Sequence, residues 1–473
     1  MASQNSSQEQ VAGLDHQVTG DSEYDVLVIG GGPAGEVAAQ YAIAGSDRTA
    51  AIIEHELLGG ECSYWACMPS KALLRPIEVH AAARNLDGIK VGKKLLPEEL
   101  LRRRDSWVSQ YEDGGQVKWA NGLGIDVIRG HGVITGDRTV EVDNGGAGRT
   151  IRARQAVILA TGSTPVIPDV FAGIQPWTSR DATGVREIPA SLIVVGGGVV
   201  ACEAATWMAA LGAKVTLLSR GTLLGKSEPF AGEIVAKALA ENGIDVRQHV
   251  DITDVRRPVA DDTGIGRIHG DAVTVVAGDS EITADEVLVA TGRKPAREGV
   301  GVDVVGDDAP WLYSVGDASG GPALTHWGKY QARNVGHLIA ARADGRPEPV
   351  VPEDVPVPQV VFTDPQVASV GLTEKQANDK GLDVKIAEVS LTGTAGFGLL
   401  RDDADGKARL VIDGSAGVIV GATFVGPEVD ELVHAATIAI VGKVPVELLW
   451  HAVPSYPTVS EVWLHLLESL DES

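Results

Sequence analysis

The stretch YDVLVIGGGPAGEVAAQYAIAG constrains the fold more than any other part of the chain. Tyr24 to Ile29 is a short, mostly apolar run suited to a buried parallel strand, and it leads into Gly30, Gly32 and Gly35 at G-x-G-x-x-G spacing. Glycine there permits a tight turn and a close backbone approach to a pyrophosphate. Pro33 and Ala34 then open a helix expected to reach about Ala44, whose free N–H groups and positive dipole end face that anion. A second apolar strand, AAIIE, ends at Glu54, close to the roughly 20-residue offset expected of a carboxylate that grips a ribose. Strand, glycines, helix, strand and acid in this order specify a dinucleotide-binding unit. The alternative is a glycine-rich turn in an ordinary α/β unit.

The same order returns in SLIVVGGGVVACEAATWMAALGAKVTLLSRG, with Gly196 and Gly198 in the first two places and Ala201 in the third. Where the first unit has Glu54, this one ends its second strand in Ser219 and Arg220, with Lys226 close behind. A carboxylate there would repel a 2'-phosphate, whereas these three residues suit one, so NADPH is expected over NADH, with NADH still possible. A solvated basic surface turn is the other reading of the same residues.

Two dinucleotide sites in 473 residues leave room for about one further domain. The net charge of -24 argues against nucleic acid and anionic membrane surfaces as partners, because phosphates would be repelled. No run of 18 or more apolar residues occurs, so no membrane span is expected. Three cysteines cannot build the disulfide framework of a secreted protein, and residues 1–21 lack the apolar core of a signal peptide. The expectation is a cytoplasmic protein with a disordered tail over 1–21.

Further motifs follow in register: C-x4-C-x-P-S-K at 62–71, A-T-G at 160–162, A-T-G-R at 290–293, V-G-D-A at 315–318, F-T-D-P at 362–365, V-G-L-T-E at 370–374 and Y-P-T-V-S-E at 456–461. With the two glycine motifs they make the chain resemble the flavoprotein disulfide reductases, the pyridine nucleotide-disulfide oxidoreductases that include dihydrolipoamide dehydrogenase, glutathione reductase and mercuric reductase. The resemblance implies an α/β fold of two Rossmann-like domains, for FAD and NAD(P), and a C-terminal α+β dimerisation domain. The expected boundaries are 22–165 and 285–350 for the FAD domain, 166–284 for the NAD(P) domain and 351–473 for dimerisation. Beside the first glycine motif and Glu54, it implies FAD contacts at Gly60, Glu61, Lys71, Gly132, Ala160, Thr161, Gly162 and Asp317. Glu203 and Gly292 join the second motif at NADP, and a homodimer is implied.

Cys62 and Cys67 admit three uses. Metal binding lacks a second cysteine pair or histidine cluster, and a structural staple across so short a loop gains little stability. Redox pairing remains, and no metal site is expected. By the family's pattern Cys62 faces substrate, Cys67 faces the flavin, and Lys71 and Glu203 form an ion pair near it. A helix beginning near Pro69 would favour the Cys67 thiolate. Four positions depart from the pattern. Tyr64 and Trp65 stand between the cysteines and Glu61 before them, either reshaping access or filling a neighbouring pocket. Most consequentially, Tyr456 stands where the family has a histidine acid/base, although Glu461, its orienting glutamate, is kept. A phenol is a poor base near pH 7. The leading expectation is therefore an NAD(P)H-dependent FAD oxidoreductase passing electrons to a small acceptor such as a quinone. A disulfide or metal-ion reductase using Tyr456, and a redox-sensing flavoprotein with little turnover, are the alternatives.

Overall fold

The structure, a computed structural model, describes residues 22–92, 94–146 and 148–471. The tail expected to be disordered, 1–21, lies outside them. The chain forms two compact units: the segments up to Cys67, 108–164 and 293–352 make the first, and 68–107, 165–292 and the residues from 353 onward make the second.

In the first unit a seven-stranded sheet runs in the order Ile125–Arg129, Ala50–Glu54, Ser22–Ile29, Arg149–Leu159, Thr139–Asp143, His131–Gly136, with Leu312–Ser314 also pairing to Arg149–Leu159. The pairs around Ser22–Ile29 are parallel, with Val26 opposite both Ala50 and Ala156. Alternation along this strand serves two cores. Val26 and Val28 pack with Ala38, Ala42 and Ile52 beneath the helices, while Leu27 and Ile29 pack with Ile53, Ile134 and Leu159 on the opposite face. Each fully buried Val, Leu or Ile among them contributes about 1.5–3 kcal/mol. Helix Pro33–Ile43 packs along helix Thr325–Ala343, where Gly336 admits Tyr41 so closely that an ideal Cβ would lie 2.6 Å from the Tyr41 Cβ.

The second unit holds a four-stranded parallel sheet in the order Asp245–Gln248, Lys214–Ser219, Ser191–Val195, Glu286–Val289, and a three-stranded antiparallel ribbon over Ile252–Arg256, Val273–Ala277 and Ser280–Ala284. It also carries a five-stranded sheet of antiparallel pairs in the order Gln359–Val361, Gln366–Gly371, Val418–Gly426, Lys407–Asp413, Val384–Ser390. Helices Leu432–Val441 and Val462–Asp471 cover it through Val433, Ala436, Val462 and Leu466. The α/β class with two Rossmann-like halves and an α+β C-terminal region is as expected.

The helix expected near Pro69 is present, beginning at Cys67 and running to Arg84. Pro69 sits within the first turn, where its missing N–H has no intrahelical partner to lose. No helix among the described residues is long and apolar enough to cross a membrane.

Candidate functional site

Gly30 takes φ +104° and an ideal Cβ on it would lie 2.3 Å from the Ala160 carbonyl oxygen, so no side chain fits. Gly35 is equally closed, its Cβ position lying 2.1 Å from Gly30 O, which lets the helix start under the turn. Gly32 is different: nothing lies within 4 Å of its Cβ position, and helix Pro33–Ile43 begins there without a side-chain cap. The free N–H groups of that first turn thus meet an open face, which is what an anion needs. Glu54, buried at its strand end, accepts from Gly31 N and from Glu56 N, each at 2.7 Å. The carboxylate is held in place with lone pairs to spare for a ribose hydroxyl.

Several other implied positions gather in this unit. Gly60 packs onto the turn, with its Cβ position 2.7 Å from Gly32 Cα, and Glu61 follows half-buried. Ala160 N donates to Ile29 O at 2.8 Å, Thr161 Oγ1 donates to Ala296 O at 2.6 Å, and Gly162 takes φ +73° over open space. Asp317 accepts from Ser163 Oγ, which in turn accepts from Arg293 Nε at 2.7 Å. Gly132 is instead packed in the sheet between Ile53 and Ile29. An uncapped glycine turn, a fixed strand-end carboxylate and a second acid tied to an arginine fit the pyrophosphate, ribose and ribityl parts of an FAD.

The second unit repeats the turn. Gly196, at φ +138°, is closed by Ala290 O at 2.4 Å, Gly198 is open and caps helix Val199–Ala210 with backbone alone, and Ala201 is buried. An ideal Cβ on Gly197 would meet Ser219 Oγ at 2.4 Å, so Ser219 lies against the middle glycine as Glu54 lies against Gly31. Arg220 and Lys226 are exposed on the loop that follows, and Gly292 is open at φ +130°. Buried Glu203 accepts from Lys71 Nζ at 2.8 Å through Oε2 and from Phe362 N at 2.9 Å through Oε1. Removing Lys71 would leave that buried carboxylate with the Phe362 N–H as its remaining partner, which is destabilising.

Cys62 lies in the short helix Gly60–Tyr64, and Cys67 is the first residue of the next. Their thiols hydrogen-bond, and the Thr325 hydroxyl reaches both, standing 3.3 Å from Cys67 Sγ. The bond to Cys67, then burial, pushes the Cys62 thiol far above its ordinary range, while Thr325 and Lys329 pull it down. Two thiols this close do not both ionise, so one thiolate forms at a time. Tyr64 and Trp65 turn inward: both are buried, Tyr64 Oη donating to Gln116 Oε1 at 3.2 Å and Trp65 stacking on Tyr111 at 4.5 Å. Of the two uses left open for them, packing is the one observed.

Thr325 and Lys329 were missed by sequence reasoning. They lie one turn apart at the uncapped start of helix Thr325–Ala343, just after V-G-D-A, and an uncapped N-terminus following a glycine-acid turn was the available signal. At the other end of the chain Tyr456 is 75% exposed. Glu461 has its Oε2 shut off from solvent without a hydrogen-bond partner, and its Oε1 lies 3.9 Å from His465 Nε2. Tyr456 therefore does not bond that oxygen within a single chain. Among the described residues no group of three or more His, Cys, Asp or Glu is placed to hold a metal ion.

The family described as pyridine nucleotide-disulphide oxidoreductase matches residues 24–332, and its dimerisation domain matches residues 357–467. The chain belongs to this family. It is 32% identical to a dihydrolipoyl dehydrogenase of Bacillus subtilis over 92% of this chain and 96% of that one, and 29% identical to a mercuric reductase of Staphylococcus aureus over 93% and 81%. The fold is similar to that of the HOCl-induced flavoprotein disulfide reductase RclA from Escherichia coli, with a TM-score of 0.77 and 22% identity over 94% of this chain and 99% of that one. As a family member the chain is an oxidoreductase that works with FAD and a pyridine nucleotide, and it carries the family's dimerisation domain.

Proposed function

We infer that the protein takes electrons from NADPH, through FAD, to the Cys62–Cys67 pair and on to a small acceptor such as a quinone. The observation that supports this most is the pairing of the two thiols beneath one hydroxyl, Thr325, at the start of an uncapped helix. FAD, when bound, supplies the two-electron step between nicotinamide and disulfide. The chain's own residues do the rest. Thr325 donates to the thiolate that forms, and Cys67, in the first turn of its helix, gains from the helix dipole. Cys62 is left to face the acceptor. Lys71 and Glu203 act as a fixed charge pair at the flavin.

The two Rossmann-like parts are assigned as 22–165 with 285–350 for FAD and 166–284 for NADPH. Residues 351–473 form the homodimer contact, and Tyr456 with Glu461 serves the partner's Cys62. Ser219, Arg220 and Lys226 favour NADPH, because the hydroxyl and two exposed cations suit a 2'-phosphate and no carboxylate opposes it.

A non-disulfide acceptor is preferred because Tyr456 cannot form the imidazolium-thiolate pair that disulfide exchange uses. A disulfide or metal-ion reductase is the second reading, favoured by the retained Glu461 with its unpartnered oxygen and by the names of the relatives, dihydrolipoyl dehydrogenase and mercuric reductase. NADPH oxidation with quinones, lipoamide, small disulfides and Hg2+ separates them. Turnover with quinones and little with lipoamide or Hg2+ is expected. The reverse order establishes the second reading, and failure with every acceptor points to a sensor.

A further inference from the structure

Between strand Lys214–Ser219 and helix Pro229–Glu241 the chain runs through a loop that carries the exposed cations Arg220 and Lys226. Exposed as it is, the loop is tied down at several points. Leu224 N donates to Gly197 O at 2.7 Å, and Leu223 and Leu224 are buried. Helix Pro229–Glu241 closes over Leu223 so tightly that an ideal Cβ on Gly232 would lie 2.0 Å from Leu223 O. Buried Glu228, at the far end of the loop, accepts from Glu374 N at 2.7 Å and from Arg409 Nη1 at 3.0 Å. A further tie comes from the parallel sheet. Gln248 ends strand Asp245–Gln248 opposite Ser219, and its Oε1 accepts from Leu223 N at 2.9 Å. Residues paired across parallel strands project to one face, so the Gln248 amide and the Ser219 hydroxyl share the side on which the loop lies. Leu223 stands midway between the two cations, three residues from each.

We propose that Gln248 is a positioning residue for the coenzyme's 2'-phosphate: by holding Leu223 it presets the backbone from which Arg220 and Lys226 reach that group. The proposal rests on the reading that Ser219, Arg220 and Lys226 receive the 2'-phosphate. The pyrophosphate is served separately by the open turn at Gly198, so Gln248 bears on the adenosine end alone. A loop ordered before the coenzyme arrives loses no further freedom when the phosphate binds, and the affinity gained is specific to the phosphorylated coenzyme. The 2'-phosphate is remote from the nicotinamide and is held alike in the ground and transition states. Losing the tie should therefore weaken binding without slowing hydride transfer.

The test is isothermal titration of the FAD-bound, oxidised protein with 2',5'-ADP and with 5'-AMP, which differ by the 2'-phosphate. The wild type should hold 2',5'-ADP more tightly. Gln248→Met keeps the length of the side chain and removes the acceptor. It should weaken 2',5'-ADP about tenfold, the size of one hydrogen bond, and leave 5'-AMP within about twofold. In stopped-flow experiments the half-saturating NADPH concentration should rise by the same factor while the limiting rate of flavin reduction is kept. Equal weakening of both fragments would mean that Gln248 only supports the fold, and an unchanged affinity for 2',5'-ADP that it has no role. Either result overturns the proposal and leaves the coenzyme reading standing. A wild type that holds 5'-AMP as tightly as 2',5'-ADP overturns both.

Discussion

In the function proposed above, the phenol of Tyr456 takes the place of an imidazole that would pair with the attacking thiol, and the consequence is measurable on single residues. If Tyr456 donates a proton to an acceptor held above Cys62, Tyr456→Phe should lower acceptor turnover by about 10²- to 10⁴-fold while leaving the rate of flavin reduction by NADPH unchanged. Tyr456→His should raise lipoamide turnover, because the buried, unpartnered Oε2 of Glu461 is available to orient an imidazole. Stopped-flow reduction and steady-state assays with a quinone and with lipoamide check both variants. Unchanged rates throughout would remove any chemical role from this position. Which residues are unusual here was legible in the sequence, since Tyr64, Trp65 and Tyr456 each break a motif. Where they point was not. Tyr64 and Trp65 turn inward because Gln116 and Tyr111, roughly fifty residues on, offer a hydrogen bond and a stacking face. Local spacing carries no trace of such partners.

Among the elements, the two strand–turn–helix units were legible nearly in full, because glycine spacing and apolar strands are short-range features. Their strand ends differ in one respect, on which the proposed preference for NADPH rests: Glu54 bonds the middle glycine's N–H, and Ser219 sits in the corresponding place with a short hydroxyl. Replacing Ser219 by Glu and Arg220 by Ala should therefore move kcat/KM toward NADH by at least tenfold relative to NADPH, since a carboxylate beside Gly197 repels a 2'-phosphate and accepts from a 2'-hydroxyl. A starting protein that already prefers NADH would end this account of the second unit. The helix expected near Pro69 was legible from the proline of a first turn, and Cys67 is its first residue. Helix Thr325–Ala343 brings Thr325 to the thiols only through the closely packed glycines Gly328 and Gly336, a tertiary fact that no motif announced.

For the whole molecule, the order of motifs along the chain was enough to assign two nucleotide-binding halves and a dimerisation domain, and family membership agrees over residues 24–332 and 357–467. The redox role of Cys62 and Cys67 is the claim on which the other functional assignments depend, and one experiment reaches it without knowledge of the acceptor. Anaerobic titration of the FAD-bound protein with NADPH, followed by absorbance and by a thiol count, should expose two thiols per chain. It should also bring up a long-wavelength band from the Cys67 thiolate beside the flavin. Cys67→Ser should lose the band while its flavin is still reduced. No new thiols on NADPH addition, or a band that persists in Cys67→Ser, would contradict the account.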